Sequence, residues 1–327
     1  MIFFKKEANK DFTILNLSDP QLADWDWGEG CQNRKILEYT IEQLVARTKP
    51  DLITISGDLA YPDHEFAYKM LAETLEQYEI PWAIVWGNHD QEKGREVIEK
   101  IENLYTSYPH FVYEIGNPAF GGGNYVIEIQ ENEKIVEAFI MMNSHDEEPY
   151  TDENGCEKIA WSKLTSEQIF WLKEQTKILK EKGCKDATLV LHIPIYAYRL
   201  ASKAAYKDTV DLSKLTVQES EGTECWNEGY EDSVGVQHEP KGVCSYPMDD
   251  GVFAAIKEGG LIKHVLAGHD HMSNWIIRYE GVTLIYALTT GAGCYWEPNL
   301  SGGTVLKVNQ DGVYKVFHEH VDVSHLI

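Results

Sequence analysis

The chain has 327 residues, 43% of them hydrophobic and 25% charged, enough to bury one large core in a composition ordinary for globular proteins. Its 53 acidic against 29 basic residues leave a formal charge of −24, which argues against broad binding to DNA, RNA or anionic lipid, partners that attract a basic face. No apolar run approaches the roughly 20 residues of a membrane helix, and Met1-Ile-Phe-Phe-Lys-Lys lacks the apolar segment of a signal peptide, so a cytoplasmic setting is expected.

In chain order, Phe12 to Leu17 is a short apolar run rich in strand formers that stops at Ser18-Asp19-Pro20. Arg34 to Ala46 spaces its apolar residues at three and four, as an amphipathic helix does. Asp51 to Ser56 repeats the strand and stops at Gly57-Asp58; Glu65 to Tyr78 repeats the helix. A third strand, Pro81 to Trp86, stops at Gly87-Asn88-His89-Asp90. Such alternation predicts parallel pairing, with polar residues just past the strand ends converging on one crevice. Asn124 to Ile129 and Ile135 to Met142 read as further strands. Thr188 to Leu191 ends at His192, and His264 to Ala267 ends at Gly268-His269-Asp270-His271. Thr283 to Ala287, Thr304 to Val308 and Val313 to Phe317 complete the strand pattern.

The expectation is an α/β fold: two mixed β-sheets packed face to face with helices on the outside, over one domain spanning 1–327. The stretch 198–246 has weak periodicity and many Gly, Ser, Glu and Asp residues, so an irregular active-site insertion is expected there. The acidic run Asp146-Glu147-Glu148 reads as a solvated turn, and His318, His320 and His325 as surface residues.

Asp19, Asp58, Asn88, His192, His269 and His271 offer carboxylate oxygens, an amide oxygen and imidazole nitrogens. Mixed N and O donors suit Mn, Fe or Zn better than Ca or Mg. Two ions about 3.5–4 Å apart need a bridging group, which a carboxylate supplies. Glycines before Asp58, Asn88 and His269 permit tight turns and close approach. His269 and His271, two apart, would face the same way in extended backbone.

These motifs in this order resemble the calcineurin-like metallophosphoesterases, whose pattern is D-x-H, G-D, G-N-H-[DE], a lone H and G-H-x-H. The resemblance implies that Asp19 and His271 bind one metal, that Asn88, His192 and His269 bind the other, and that Asp58 bridges. His89 takes the position of the general acid. Asn143-Ser144-His145-Asp146, Ile159-Ala160-Trp161, Gln168 to Trp171 and Gly235-Val236-Gln237-His238-Glu239 are similar to the short purple-acid-phosphatase-like proteins of plants and yeast. Gly57-Asp58-Leu59-Ala60-Tyr61 resembles the G-D-x-x-Y of purple acid phosphatases. One departure stands out: Gln21 occupies the first-motif position that is usually His. Gln21 through its amide oxygen and Tyr61 as a phenolate are alternative ways to complete that metal site, with Gln21 favoured. Asp90 and His145 are expected to ligate or to support ligands.

The implied reaction uses two divalent or mixed-valence ions, between which water becomes hydroxide near neutral pH and attacks phosphorus in line. The expected substrate is a phosphate monoester, on a small molecule or a phosphoprotein, with no nucleic-acid scaffold and no membrane as partner. A phosphodiesterase acting on nucleotides or lipid head groups, and a catalytically silent metal-binding module, are the rival readings. Tyr295, Trp296 and Trp226 are expected in the core rather than against a leaving group.

Overall fold

The computed structural model describes residues 2–61, 65–238 and 242–327; Glu239, in the stretch expected to be irregular, lies outside them. Its strands are β1 (Ile2–Lys5), β2 (Phe12–Leu17), β3 (Leu52–Ile55), β4 (Trp82–Ile84), β5 (Phe111–Val112), β6 (Tyr125–Glu131), β7 (Lys134–Met141), β8 (Glu147–Thr151), β9 (Glu157–Trp161), β10 (Ala187–Leu191), β11 (Ile262–Ala267), β12 (Ile276–Tyr279), β13 (Val282–Tyr286), β14 (Gly302–Asn309) and β15 (Gly312–His320). Its α-helices are α1 (Gln32–Thr48), α2 (Glu65–Glu76), α3 (Asn88–Gln91), α4 (Arg95–Tyr105), α5 (Ser166–Glu181), α6 (Ala197–Ala205), α7 (Val217–Ser220) and α8 (Val252–Gly259).

Two large sheets form, in the orders β1-β6-β7-β10-β11-β13-β12 and β15-β14-β2-β3-β4-β5, with β8 and β9 paired apart. Both are mixed: β2 to β5 and β7-β10-β11-β13 run parallel, while β6-β7, β12-β13, β14-β15 and β2-β14 are antiparallel. The central strands FTILNL, LITI and ATLVL are buried throughout, as strands covered on both faces must be. Alternate residues separate the faces. Ile14, Leu52, Phe139, Val190 and Leu266 fill the space between the sheets. Leu15, Leu17, Ile53 and Ile55 pack outward on α1, α2 and α4. Leu189, Val265 and Leu284 pack outward on α5, α6 and α8. Helix, sheet, sheet and helix therefore stack in four layers, the expected architecture.

Three details differ from the sequence reading. The stretch expected to be irregular opens on the regular helix α6, and its later part pairs with the segment after β11 through Val234–Ile276 and Gln237–Ser273 bridges. The acidic run starts a hairpin, since Glu147 and Glu148 belong to β8. His318 and His320 lie in β15, where His318 bonds the Asn274 carbonyl and Thr304 (3.1 Å) and His320 the Asn299 carbonyl (3.1 Å). Among the described residues no helix is long and apolar enough to cross a membrane.

Near the N-terminal ends of the parallel strands, Glu137 of β7 is buried against the opposite sheet. One oxygen accepts from Thr188 and the other from the Val313 amide of β15, both at 3.0 Å. Burial and then Asp186 push the Glu137 carboxyl well above the usual range, and burial raises Asp186 to about 7. The folded state thus prefers these acids neutral. The stability they confer is whole below the unfolded carboxyl value of about 4 and is lost as pH climbs through about 7. Thermal melts from about pH 5 to about pH 8 should therefore fall less steeply in Glu137→Gln than in the wild type; parallel slopes would remove this role from Glu137.

Candidate metal centre

Every expected ligand stands just past a strand. Asp19 and Gln21 follow β2, Asp58 follows β3 and Asn88 opens α3 after β4, all in the six-stranded sheet. His192 follows β10, and His269 and His271 follow β11, in the seven-stranded sheet. All seven are buried. Backbone bonds tie the loops together: the Asp19 amide donates to the Gly57 carbonyl (3.2 Å) and the Gln21 amide to that of Asp58 (3.0 Å).

Asp19 (φ 52°), Gln21 (40°), Asp58 (51°) and His269 (78°) have left-handed backbone, costly for residues with a Cβ and concentrated here. Gly87 (φ −91°) serves a different need, close approach: a Cβ on it would lie 2.1 Å from Asp58 Oδ1. The left-handed turn at His269 also means that the two histidines after β11 do not share one extended direction. His269 presents Nδ1 to His192, whereas His271 presents Nε2 to Asp19.

The proton positions follow from fixed acceptors. His192 Nδ1 donates to the Ser56 carbonyl at 2.7 Å and His271 Nδ1 to the Tyr295 carbonyl at 2.9 Å. In the neutral rings each Nε2 then carries a lone pair. That of His192 faces Asn88 Oδ1 (3.0 Å), Asp58 Oδ2 (3.2 Å) and His269 Nδ1 (3.2 Å). That of His271 faces Asp19 Oδ1 at 3.3 Å. Lone pair meets lone pair, and a cation is what reconciles them.

Two overlapping sets, Asp58-His192-His269 and Asp19-Asp58-His271, each gather donor atoms within 4.8 Å of one another. Asp58 belongs to both. Among the described residues Asp19 Oδ1 and both amide atoms of buried Gln21 have no hydrogen-bond partner, a debt of about 1–3 kcal/mol for each unmet group unless a ligand arrives. These residues fit a pair of cations.

Without cations the histidines take their place. Burial works to raise the Asp19 and Asp58 carboxyls but is outweighed by the facing histidines, which hold both below the ordinary range. Burial disfavours the charged form of His192, yet Asp58 and Asp19 lift it to about 9. Burial and the neighbouring His192 push His269 down to about 3.

Around this centre, the His89 amide donates to Asp58 Oδ1 (2.9 Å), its Nδ1 pairs with Glu92, and its side chain is 30% exposed. Asp90 accepts from the amides of Gly87 (2.8 Å) and Leu59 (3.1 Å) and from the Tyr68 hydroxyl (2.8 Å), which fastens the Asn88 turn to the Asp58 loop. Tyr61 lies edge-on to His89 with ring centroids 5.5 Å apart, and burial pushes its phenol above the usual range. His145 is drawn aside by Gln168 Oε1 (2.8 Å) and supports α3 through its carbonyl, which accepts from Gln91 (3.1 Å). Gln237 is a buried partner of Trp275 (2.8 Å). Trp226 is core, packed on Tyr206, and Trp296 packs against the outer core, but Tyr295 is neither. It is 48% exposed and lies flat on His271 at 4.6 Å, while Trp161 of β9 meets His269 edge-on at 4.4 Å. Glu92, three residues after His89 on one helical turn, was findable from spacing; the Ser56 and Tyr295 carbonyls leave no trace in sequence.

Residues 12–273 match the family model of the calcineurin-like phosphoesterases. The chain belongs to that family. It is 25% identical over 298 residues to a protein of Arabidopsis thaliana named "probable inactive purple acid phosphatase 14", across 84% of this chain and 66% of that one. Over 87 residues it is 38% identical to a component of the nuclease SbcCD of Staphylococcus epidermidis, which covers 23% of this chain and 22% of that component. In structure the chain shares its fold with a dimetal phosphatase of Danio rerio, at a TM-score of 0.51 and 12% identity, over 94% and 98% of the two chains.

Because Asp58 is common to both ligand sets, Asp58→Asn should reduce the metal retained after Mn loading and gel filtration from about two ions per chain to one or none. Elemental analysis decides: undiminished metal would place the shared ligand elsewhere.

Proposed function

We propose that this phosphoesterase hydrolyses phosphate monoesters, free or on a phosphoprotein, at two divalent cations held between its sheets. One observation carries the reading: two ligand sets share Asp58, and His89 hangs from the same residue by its amide with its ring reaching solvent. Asn88, His192 and His269 hold one cation, Asp19, Gln21 and His271 the other, and Asp58 joins them. Such a pair of Mn, Fe or Zn ions, when bound, acidifies water and offsets charge on phosphoryl oxygens. His89 is the general acid. Glu92 accepts from its Nδ1, so in the imidazolium form the second proton sits on Nε2, and that is the one the leaving alkoxide needs. Asp90 keeps the His89 turn registered on the Asp58 loop.

The Arabidopsis relative bears the word "inactive" in its name, but here the ligand atoms and His89 are in place, which supports turnover. The nuclease match supports a second reading, a phosphodiesterase. Rates on p-nitrophenyl phosphate and bis-p-nitrophenyl phosphate with Mn, Fe, Zn and Mg separate them. Faster monoester cleavage is expected. Faster diester cleavage makes the chain a diesterase, and bound metal without turnover makes it a binding module.

Gln21 rather than Tyr61 completes its set: among the described residues the buried Gln21 amide has no hydrogen-bond partner, whereas burial holds the Tyr61 phenol above its usual range, against a phenolate. Iron-loaded, oxidised protein should then lack a phenolate-to-iron absorption band, and Gln21→Ala should lose metal that Tyr61→Phe keeps. A visible band abolished in Tyr61→Phe reverses the assignment. For His89→Ala, loss on alkyl phosphates should reach about 10²–10⁴-fold and be smaller on p-nitrophenyl phosphate, whose phenolate leaves unaided. Equal losses would make His89 a phosphate-binding residue.

A further inference from the structure

β2 and β3 run parallel with Ile14 beside Leu52 and Asn16 beside Thr54. Ile14 and Leu52 belong to the core between the sheets. The period of two then sends Asn16, Ser18, Thr54 and Ser56 into that same interior, and all four are buried. A row of polar side chains thus occupies ground where apolar ones would pack.

The row is fully connected. Thr54 Oγ1 donates to Asn16 Oδ1 (2.9 Å), Asn16 Nδ2 to Ser56 Oγ (3.0 Å), Ser56 Oγ to Ser18 Oγ (2.9 Å), and Ser18 Oγ to Asp19 Oδ2. Its direction is fixed at the end. A carboxylate only accepts, so the Ser18 proton must point to Asp19, and Ser18 in turn accepts from Ser56. Every donor therefore faces the carboxylate. Gly268 leaves room for this: a Cβ there would lie 2.4 Å from Ser18 Oγ. Among the described residues the other Asp19 oxygen, Oδ1, has no hydrogen-bond partner, and His271 Nε2 faces it at 3.3 Å.

We infer that Thr54, Asn16, Ser56 and Ser18 are positioning residues, a hydrogen-bonded chain that holds one oxygen of Asp19 and so aims the other at its cation. The inference rests on the cation pair proposed above. Stability gives little reason to keep the row, because apolar groups of the same shape can replace mutually satisfied polar ones at little cost. Orientation of a metal ligand gives one.

The test is Mn2+ titration of the full chain, with free Mn2+ read by electron paramagnetic resonance, for wild type, Ser18→Ala, Thr54→Val and Thr54→Ser. Ser18→Ala should weaken one of the two sites by about 10–100-fold and spare the other. Thr54→Val, four hydrogen bonds from the carboxylate, should weaken the same site to a lesser degree, and Thr54→Ser should restore it. Melting curves accompany each variant. Wild-type constants in Thr54→Val would overturn the chain, as would equal weakening of both sites with a lowered melting temperature. A wild type that binds no Mn2+ overturns the cation pair itself, a distinct failure.

Discussion

Crowded lone pairs govern this molecule. The Nε2 of His192 sits within 3.2 Å of Asn88 Oδ1, Asp58 Oδ2 and His269 Nδ1, all on buried residues. Such an arrangement is unfavourable by itself and becomes favourable only around positive charge. Much of the local architecture keeps the donors from escaping. Left-handed turns at Asp19, Asp58 and His269 aim side chains inward, Asp90 clamps two loops, and fixed carbonyls choose the imidazole tautomers.

The strand-end motifs were legible because one rule governs them: buried parallel strands are mostly apolar, so the polar clusters just beyond their ends mark the crevice. Asp19, Asp58, Asn88, His192, His269 and His271 were all found this way, and the structure gathers them. What the sequence hid was of another kind. His269 and His271 looked co-directional because extended backbone was assumed, and one positive φ undid that. Tyr295 resembled a core aromatic, since nothing in composition reveals which ring will lie against a histidine. The run Asp146 to Glu148 leads into a hairpin whose last residue, Trp161, pairs with Glu147 and packs edge-on against His269. Helix α5 carried its own announcement, a reciprocal Thr165–Gln168 cap, although the same Gln168 also holds His145.

Buried polarity recurs at both ends of the inter-sheet space. Near one end, Glu137 spans from β7 to the Val313 amide of β15; near the other, Asn16, Ser18, Thr54 and Ser56 run to Asp19. Between them the interior is aliphatic and aromatic. Packing of that middle fixes the spacing of the sheets, and the polar ends make one alignment better than its neighbours, since a shift by one residue turns every side chain to the wrong face.

The provenance of the ligands has a consequence for how the molecule assembles. Each donor set mixes residues from the six-stranded sheet with residues from the seven-stranded sheet. Neither sheet owns a complete set, and the chain has passed Asp19, Asp58 and Asn88 well before it supplies His192, His269 and His271. During synthesis or refolding, a half-formed molecule therefore has nothing to offer a cation but scattered weak donors. On the cation pair proposed above, tight capture becomes possible only once the sheets have closed on each other, and ions so held would act as rivets across the seam, stabilising the docked state by mass action over any state in which the halves have parted.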